Sequence, residues 1–82
     1  MILVDIFVPS VNKIYDFQLN ETMPIYMIIE EITEMIGQKE RVAIVGDTKE
    51  VMLCDRKTHR VLEKNRTLAE CNIMTGQSLI LV

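Results

Sequence analysis

The sequence predicts an α+β domain in which a mixed sheet of four to five strands packs on one amphipathic helix. Three observations carry that expectation. Residues 2–8 (ILVDIFV) and 13–19 (KIYDFQL) are alternating runs joined by a short polar turn, the pattern of an antiparallel hairpin. Ile25, Ile28, Ile29, Ile32 and Ile36 recur at helical spacing and form one stripe. A later apolar run, QSLILV, supplies a strand that the helix connects back to the hairpin.

In chain order, Ile2, Val4, Ile6 and Val8 form the buried face of the first strand. Pro9, Ser10, Val11 and Asn12 carry turn chemistry. Tyr15, Phe17 and Leu19 then alternate with Ile14, Asp16 and Gln18 in the second strand. Asn20, Glu21 and Thr22 break the alternation, and Pro24 suits a first helical turn because its missing N–H needs no partner there. The isoleucine stripe predicts a helix from about Pro24 to Ile36, with Glu30, Glu31 and Glu34 facing water. Acidic side chains in the first turns complement the helix dipole, and Gly37 suits the left-handed residue that ends many helices.

Residues 38–49 are unassigned, because Arg41 to Val45 reads equally as a short helix or an edge strand. Beyond them, Glu50 to Cys54 is a strand by composition, Asp55 to Arg60 a charged turn and Val61-Leu62 a short return strand. Leu68, Ala69 and Ile73 predict a single turn of helix, and Gln77 to Val82 the final strand. An order of hairpin, helix and later strands lets the first and last strands lie parallel at the centre of the sheet, which is the β-grasp arrangement. The 82 residues have room for one such domain, spanning 1–82.

Composition excludes several function classes. The formal net charge is -3, and the nine Lys and Arg are scattered apart from one cluster, Arg56, Lys57 and Arg60, so nucleic acid is not expected as a partner. The longest apolar stretches fall far short of the roughly 20 residues of a membrane helix, and residues 1–10 lack a signal-peptide pattern. The expected location is the cytoplasm, without membrane insertion.

Cys54 and Cys71 do not have the spacing of a metal knuckle, and two thiols cannot hold an iron–sulfur cluster. They are expected as reduced thiols, with no cofactor and no metal. Nucleophilic catalysis would require one of these thiols beside a base, and His59 is the only histidine. A strand thiol near a solvated basic turn explains Cys54 and His59 without chemistry. No enzymatic activity is expected.

The stretch RTLAECNI at 66–73 resembles the segment of ubiquitin that precedes its last strand, with Cys71 at the tyrosine position. Val4, Ile6 and Val8, and Tyr15, Phe17 and Leu19, resemble the inward faces of ubiquitin's first two strands. The hairpin VDIFVPSVNKIYDFQL, the helix MPIYMIIEEITEMIG and the pairing of MLCDR with TLAECNIMTGQSLILV are similar to ubiquitin-like proteins of the YukD/EsaB family. Those proteins accompany type VII secretion systems of Gram-positive bacteria. The resemblance implies a non-conjugated accessory or regulatory module that binds protein components of a secretion apparatus.

Conjugated modifiers and sulfur carriers act through a flexible tail ending in a glycine pair. Here Gly37, Gly46 and Gly76 are internal, and Val82 falls in a predicted strand. The alternative reading is a modifier or sulfur carrier whose glycine tail is not among these residues.

Strand alternation then points to a binding face. If Val4, Ile6, Val8, Val51, Leu53, Leu79 and Leu81 face inward, Phe7, Met52, Ile80 and Val82 share the uncovered face of the sheet. Ubiquitin and its relatives present their apolar recognition patch there, and contiguous apolar surface often marks an interface. Tyr26 and Met27, off the isoleucine stripe, are a second candidate. Homodimerisation through a sheet edge or face is left open.

Overall fold

The computed structural model describes residues 1–41 and 50–82. The part of the unassigned segment at 42–49 lies outside the described residues. The first hairpin forms as its alternation requires: β1 (Ile2–Val8) pairs antiparallel with β2 (Lys13–Leu19), from Ile2 opposite Leu19 to Val8 opposite Lys13. Asn12, at φ 53, supplies the left-handed residue of the turn. A helix, α1 (Ile25–Glu40), follows, and then β3 (Leu53–Asp55) and β4 (Ser78–Leu81). The strand order is β2-β1-β4-β3, with β1 and β4 parallel and the other pairs antiparallel.

The inward faces agree with the alternation. Val4, Ile6 and Val8, then Tyr15, Phe17 and Leu19, Leu53, Leu79 and Leu81 are all buried. The five isoleucines of α1 are buried against them, together with Val51, Leu62, Leu68 and Ile73. Burying each large aliphatic side chain contributes about 1.5–3 kcal/mol, so the sheet and stripe dominate the stabilisation.

Several boundaries differ from the sequence expectation, each for a physical reason. The helix does not stop at Ile36; it continues through Gly37 to Glu40, and the left-handed terminator is Arg41 at φ 57, whose N–H donates to the Gly37 carbonyl. The extra turn brings the Glu40 carboxylate to the hairpin. Glu40 Oε2 accepts from the Tyr15 hydroxyl at 2.6 Å, and Oε1 accepts from Lys13 Nζ at 2.8 Å. These contacts reward continuation where local propensity favours an end. Lys39 Nζ lies 5.2 Å from the Tyr15 ring centroid, a cation–π contact at the same corner.

At the other end, Pro24 is the cap and Ile25 the first helical residue. No acidic residue occupies the first turn. The free N–H groups of Ile25 and Tyr26 donate instead to the carbonyls of Arg66 and Lys64, at 2.8 and 2.9 Å.

The strand expected at Glu50 to Cys54 is shorter and shifted, beginning at Leu53, although Met52 and Val82 exchange two backbone hydrogen bonds beyond its end. The last strand is likewise trimmed to Ser78–Leu81. The return strand at Val61-Leu62 is reduced to a single bridge, Cys54 with Val61, because the turn between Asp55 and Arg60 closes tightly. Asp55 N–H donates to the Arg60 carbonyl, the Asp55 carboxylate accepts from Lys57 N–H, and His59 adopts φ 62.

The turn expected near Leu68 is present as a hydrogen-bonded turn capped at both ends. Thr67 N–H donates to the Glu70 carboxylate at 2.9 Å while Glu70 N–H donates to the Thr67 hydroxyl at 3.1 Å, a reciprocal capping box. At its close Ile73 N–H bonds the Leu68 carbonyl and Asn72 N–H bonds the Ala69 carbonyl, with Asn72 at φ 59. This is the Schellman arrangement with asparagine as its left-handed residue.

Thr67→Ala removes one half of the box and is expected to lower unfolding free energy by about 1 kcal/mol in urea titrations. The Glu40 corner predicts a pH signature. Hydrogen bonds from Lys13 and then Tyr15 hold the Glu40 carboxyl below its ordinary value, so its stabilisation is present above the unfolded-state pKa and is lost as pH falls through the folded one. Burial and then the Glu40 contact push the Tyr15 hydroxyl up to about 12, so its contribution is present below its ordinary value of 10.0 and disappears between there and about 12. Glu40→Gln is expected to unfold earlier than wild type near neutrality, with the gap closing in acid. A gap independent of pH would show the corner to be non-ionic.

Candidate functional site

The face of the sheet opposite α1, which no described element covers, is built from the residues that alternate with the core. On β1 these are Leu3, Asp5 and Phe7; on β2, Ile14, Asp16 and Gln18; on β4, Ser78 and Ile80, with Val82 following. Cys54 lies on the same face of β3, with Met52 and Arg56 two positions away on either side.

The register sorts these positions into rows across the strands. Ile14 is opposite Phe7, Phe7 beside Ile80, Ile80 opposite Cys54, and Cys54 bridges to Val61. One apolar row therefore crosses the whole sheet. Val82 and Met52, exchanging backbone hydrogen bonds at 2.6 and 2.9 Å, extend it at one end of β4. In the opposite direction the next row is polar: Asp16 opposite Asp5, Asp5 beside Ser78, and Arg56 donating its N–H to the Ser78 carbonyl.

Among the four residues expected on this face from sequence, Met52 and Val82 are exposed at 40% and 50%, while Phe7 and Ile80 are half-buried. All four lie together. Their strand neighbours account for the partial cover of the central pair, and the Arg56 guanidinium carbon lies 5.3 Å from the Phe7 ring centroid. Sequence reasoning missed Ile14 and Val61, which are about half exposed at 54% and 49%, and the place of Cys54 in the row. Ile14 was legible from the alternation of β2 alone. Val61 was not, because its position depends on the bridge to Cys54.

The second candidate, Tyr26 and Met27, is also exposed, on the side of α1 away from the core, and Met35 is exposed farther along the helix. Both cysteines are free and partly buried. Burial pushes the thiols of Cys54 and Cys71 up, away from the thiolate needed for nucleophilic attack. A groove of about 230 Å³ beside Cys71 is lined by Arg60, Glu63, Arg66 and Glu70, with Arg66 donating to Glu63 at 3.3 Å. No cluster of metal-ligating side chains and no helix long and apolar enough to cross a membrane occurs among the described residues.

Solved structures place this architecture among ubiquitin-like domains. The N-terminal ubiquitin-like domain of the 4931431F19Rik protein aligns with a TM-score of 0.75 at 17% identity, covering 99% of this chain and 72% of that one. A computationally designed protein based on human erythrocytic ubiquitin gives 0.74 at 21% identity, over 100% of this chain and 90% of the other. The ubiquitin-like domain of EccD5 from Mycobacterium xenopi gives 0.74 at 24% identity, over 99% and 91%. No curated protein matches the chain. The sequence model of YukD, a protein of the WXG100 protein secretion system (Wss), matches residues 3–81, and the chain belongs to the YukD family.

Proposed function

We propose that this chain is a cytoplasmic, non-conjugated protein-interaction module that serves a bacterial type VII secretion system as an accessory or regulatory component. Its docking surface is the uncovered sheet face, with Phe7, Met52, Ile80 and Val82 as the contacting residues. The observation that carries this reading is the unbroken apolar row from Ile14 through Phe7, Ile80 and Cys54 to Val61, extended by Val82 and Met52. A row of this kind on a face that the helix does not cover matches the apolar centre and polar rim of protein interfaces.

The role is binding and not catalysis. Both thiols are held protonated by burial, and His59 lies in the exposed turn and makes no hydrogen bond to Cys54. Membership of the YukD family points the docking toward other components of the secretion machinery. No cofactor and no nucleic acid enters this role.

Affinity capture from a lysate of the host, with bound proteins identified by mass spectrometry, tests the reading. Wild type is expected to retain secretion-system components. A Phe7→Asp, Ile80→Asp double variant that keeps the wild-type circular dichroism spectrum is expected to lose at least about tenfold of them, since truncating central interface anchors typically costs 2 kcal/mol or more. Equal recovery by the two proteins would count against the face.

A further inference from the structure

The polar row beside the apolar one has an internal symmetry. From β2 to β3 it reads Asp16, Asp5, Ser78, Arg56, so acidic groups occupy one end and a cation the other. The apolar row above it reads Ile14, Phe7, Ile80, Cys54. A two-fold axis parallel to the strands, placed between β1 and β4 in the plane of contact, exchanges the ends of both rows. It lays Phe7 on Ile80 and Ile14 on Cys54 of the second copy. In the same operation the position of Arg56, just past β3, comes over the β2 position of Asp16, where the guanidinium exchanges the Phe7 ring for the second copy's carboxylate, and Ser78 comes over Asp5.

Three local features suit that operation. Asp5 and Asp16 lie directly opposite one another, a like-charge pair that destabilises a sheet unless a cation approaches. Among the described residues neither forms a salt bridge, and Arg56 has only the Phe7 ring as its side-chain partner. Asp5 Oδ1 is buried and, among the described residues, accepts no hydrogen bond, so the Asp5 carboxylate is short of a donor within its own chain.

From this self-complementarity we infer that the uncovered face also binds a second copy of the same chain, forming an isologous two-fold dimer in which two sheets stack face to face about 10 Å apart. The inference rests on the reading of this face as a docking surface and adds its regulation: the second copy and the secretion-system partner compete for the same residues.

The dimer is weak. The polar row, the apolar row and the Met52–Val82 row, about 7 Å apart across four strands about 4.8 Å apart, give roughly 400 Å² per copy, well below the about 800 Å² per partner of stable complexes. It therefore forms at high or locally raised concentration and yields to a better-matched partner.

Charge exchange tests the geometry. Sedimentation equilibrium over a wide concentration range is expected to show reversible dimerisation of wild type. Arg56→Asp sets aspartate against Asp16, and Asp16→Arg sets arginine against Arg56, so each variant alone is expected to raise the dissociation constant at least about tenfold, through two symmetry-related contacts. An equimolar mixture of the two variants restores both contacts with the correct signs, and association is expected to return.

The inference is overturned if wild type stays monomeric at millimolar concentration, if the single variants associate like wild type, or if the mixture does not recover. The second result would place self-association elsewhere, such as the unpaired edge of β2. Partner capture separates the two readings: a monomeric wild type whose capture still depends on Phe7 and Ile80 removes the dimer and leaves the docking surface standing. Loss of face-dependent capture with the charge-exchange result intact removes only the secretion-system reading.

Discussion

The parallel pairing of β1 with β4 is the constraint on which the rest of this molecule depends. Residues more than 70 positions apart are brought side by side, Asp5 with Ser78, Ile6 with Leu79 and Phe7 with Ile80. Because side chains alternate with a period of two, this single register fixes both faces at once. Ile6 and Leu79 go to the core with the isoleucine stripe, and Phe7 and Ile80 go to the uncovered face. A one-residue slip of β4 would turn Ile80 inward and expose Leu79 and Leu81, so the buried stripe of α1 enforces the surface row as firmly as it enforces the interior.

The segment between β3 and β4 contributes by holding the helix in place. Its carbonyls at Lys64 and Arg66 accept the first free N–H groups of α1, Thr67 bridges to Pro24, and Ala69 N–H donates to the Glu21 carbonyl. The capping box and left-handed Asn72 satisfy the backbone at both ends of this segment, which serves α1 as a cap supplied by distant sequence. Glu40 performs the matching role at the other end, where Lys13 and Tyr15 anchor the last turn to the hairpin. Both helix ends are thus satisfied by tertiary contacts.

Much of this was legible in the residues. The hairpin, the isoleucine stripe, the inward positions of β4 and the outward positions of Phe7, Met52, Ile80 and Val82 follow from periodicity, because burial on one face imposes it. The misread boundaries are places where a partner far along the chain overrides local preference. Gly37 signals a helix end, yet Glu40 finds a cation and a hydroxyl one turn later. Val61 and Leu62 look like a strand, yet the tight turn after Asp55 leaves only one bridge.

The sequence by itself determined which residues face the core and which face away, since the alternation of strands and the 3.6-residue period of the helix are written in the order of side chains. It also carried the family, through short motifs at 66–73 and in the hairpin. Only the tertiary structure decided how the outward residues line up. Ile14, Phe7, Ile80, Cys54 and Val61 come from five separate stretches of chain, and their row exists because hydrogen-bonded strand pairing sets register across loops that local sequence does not constrain.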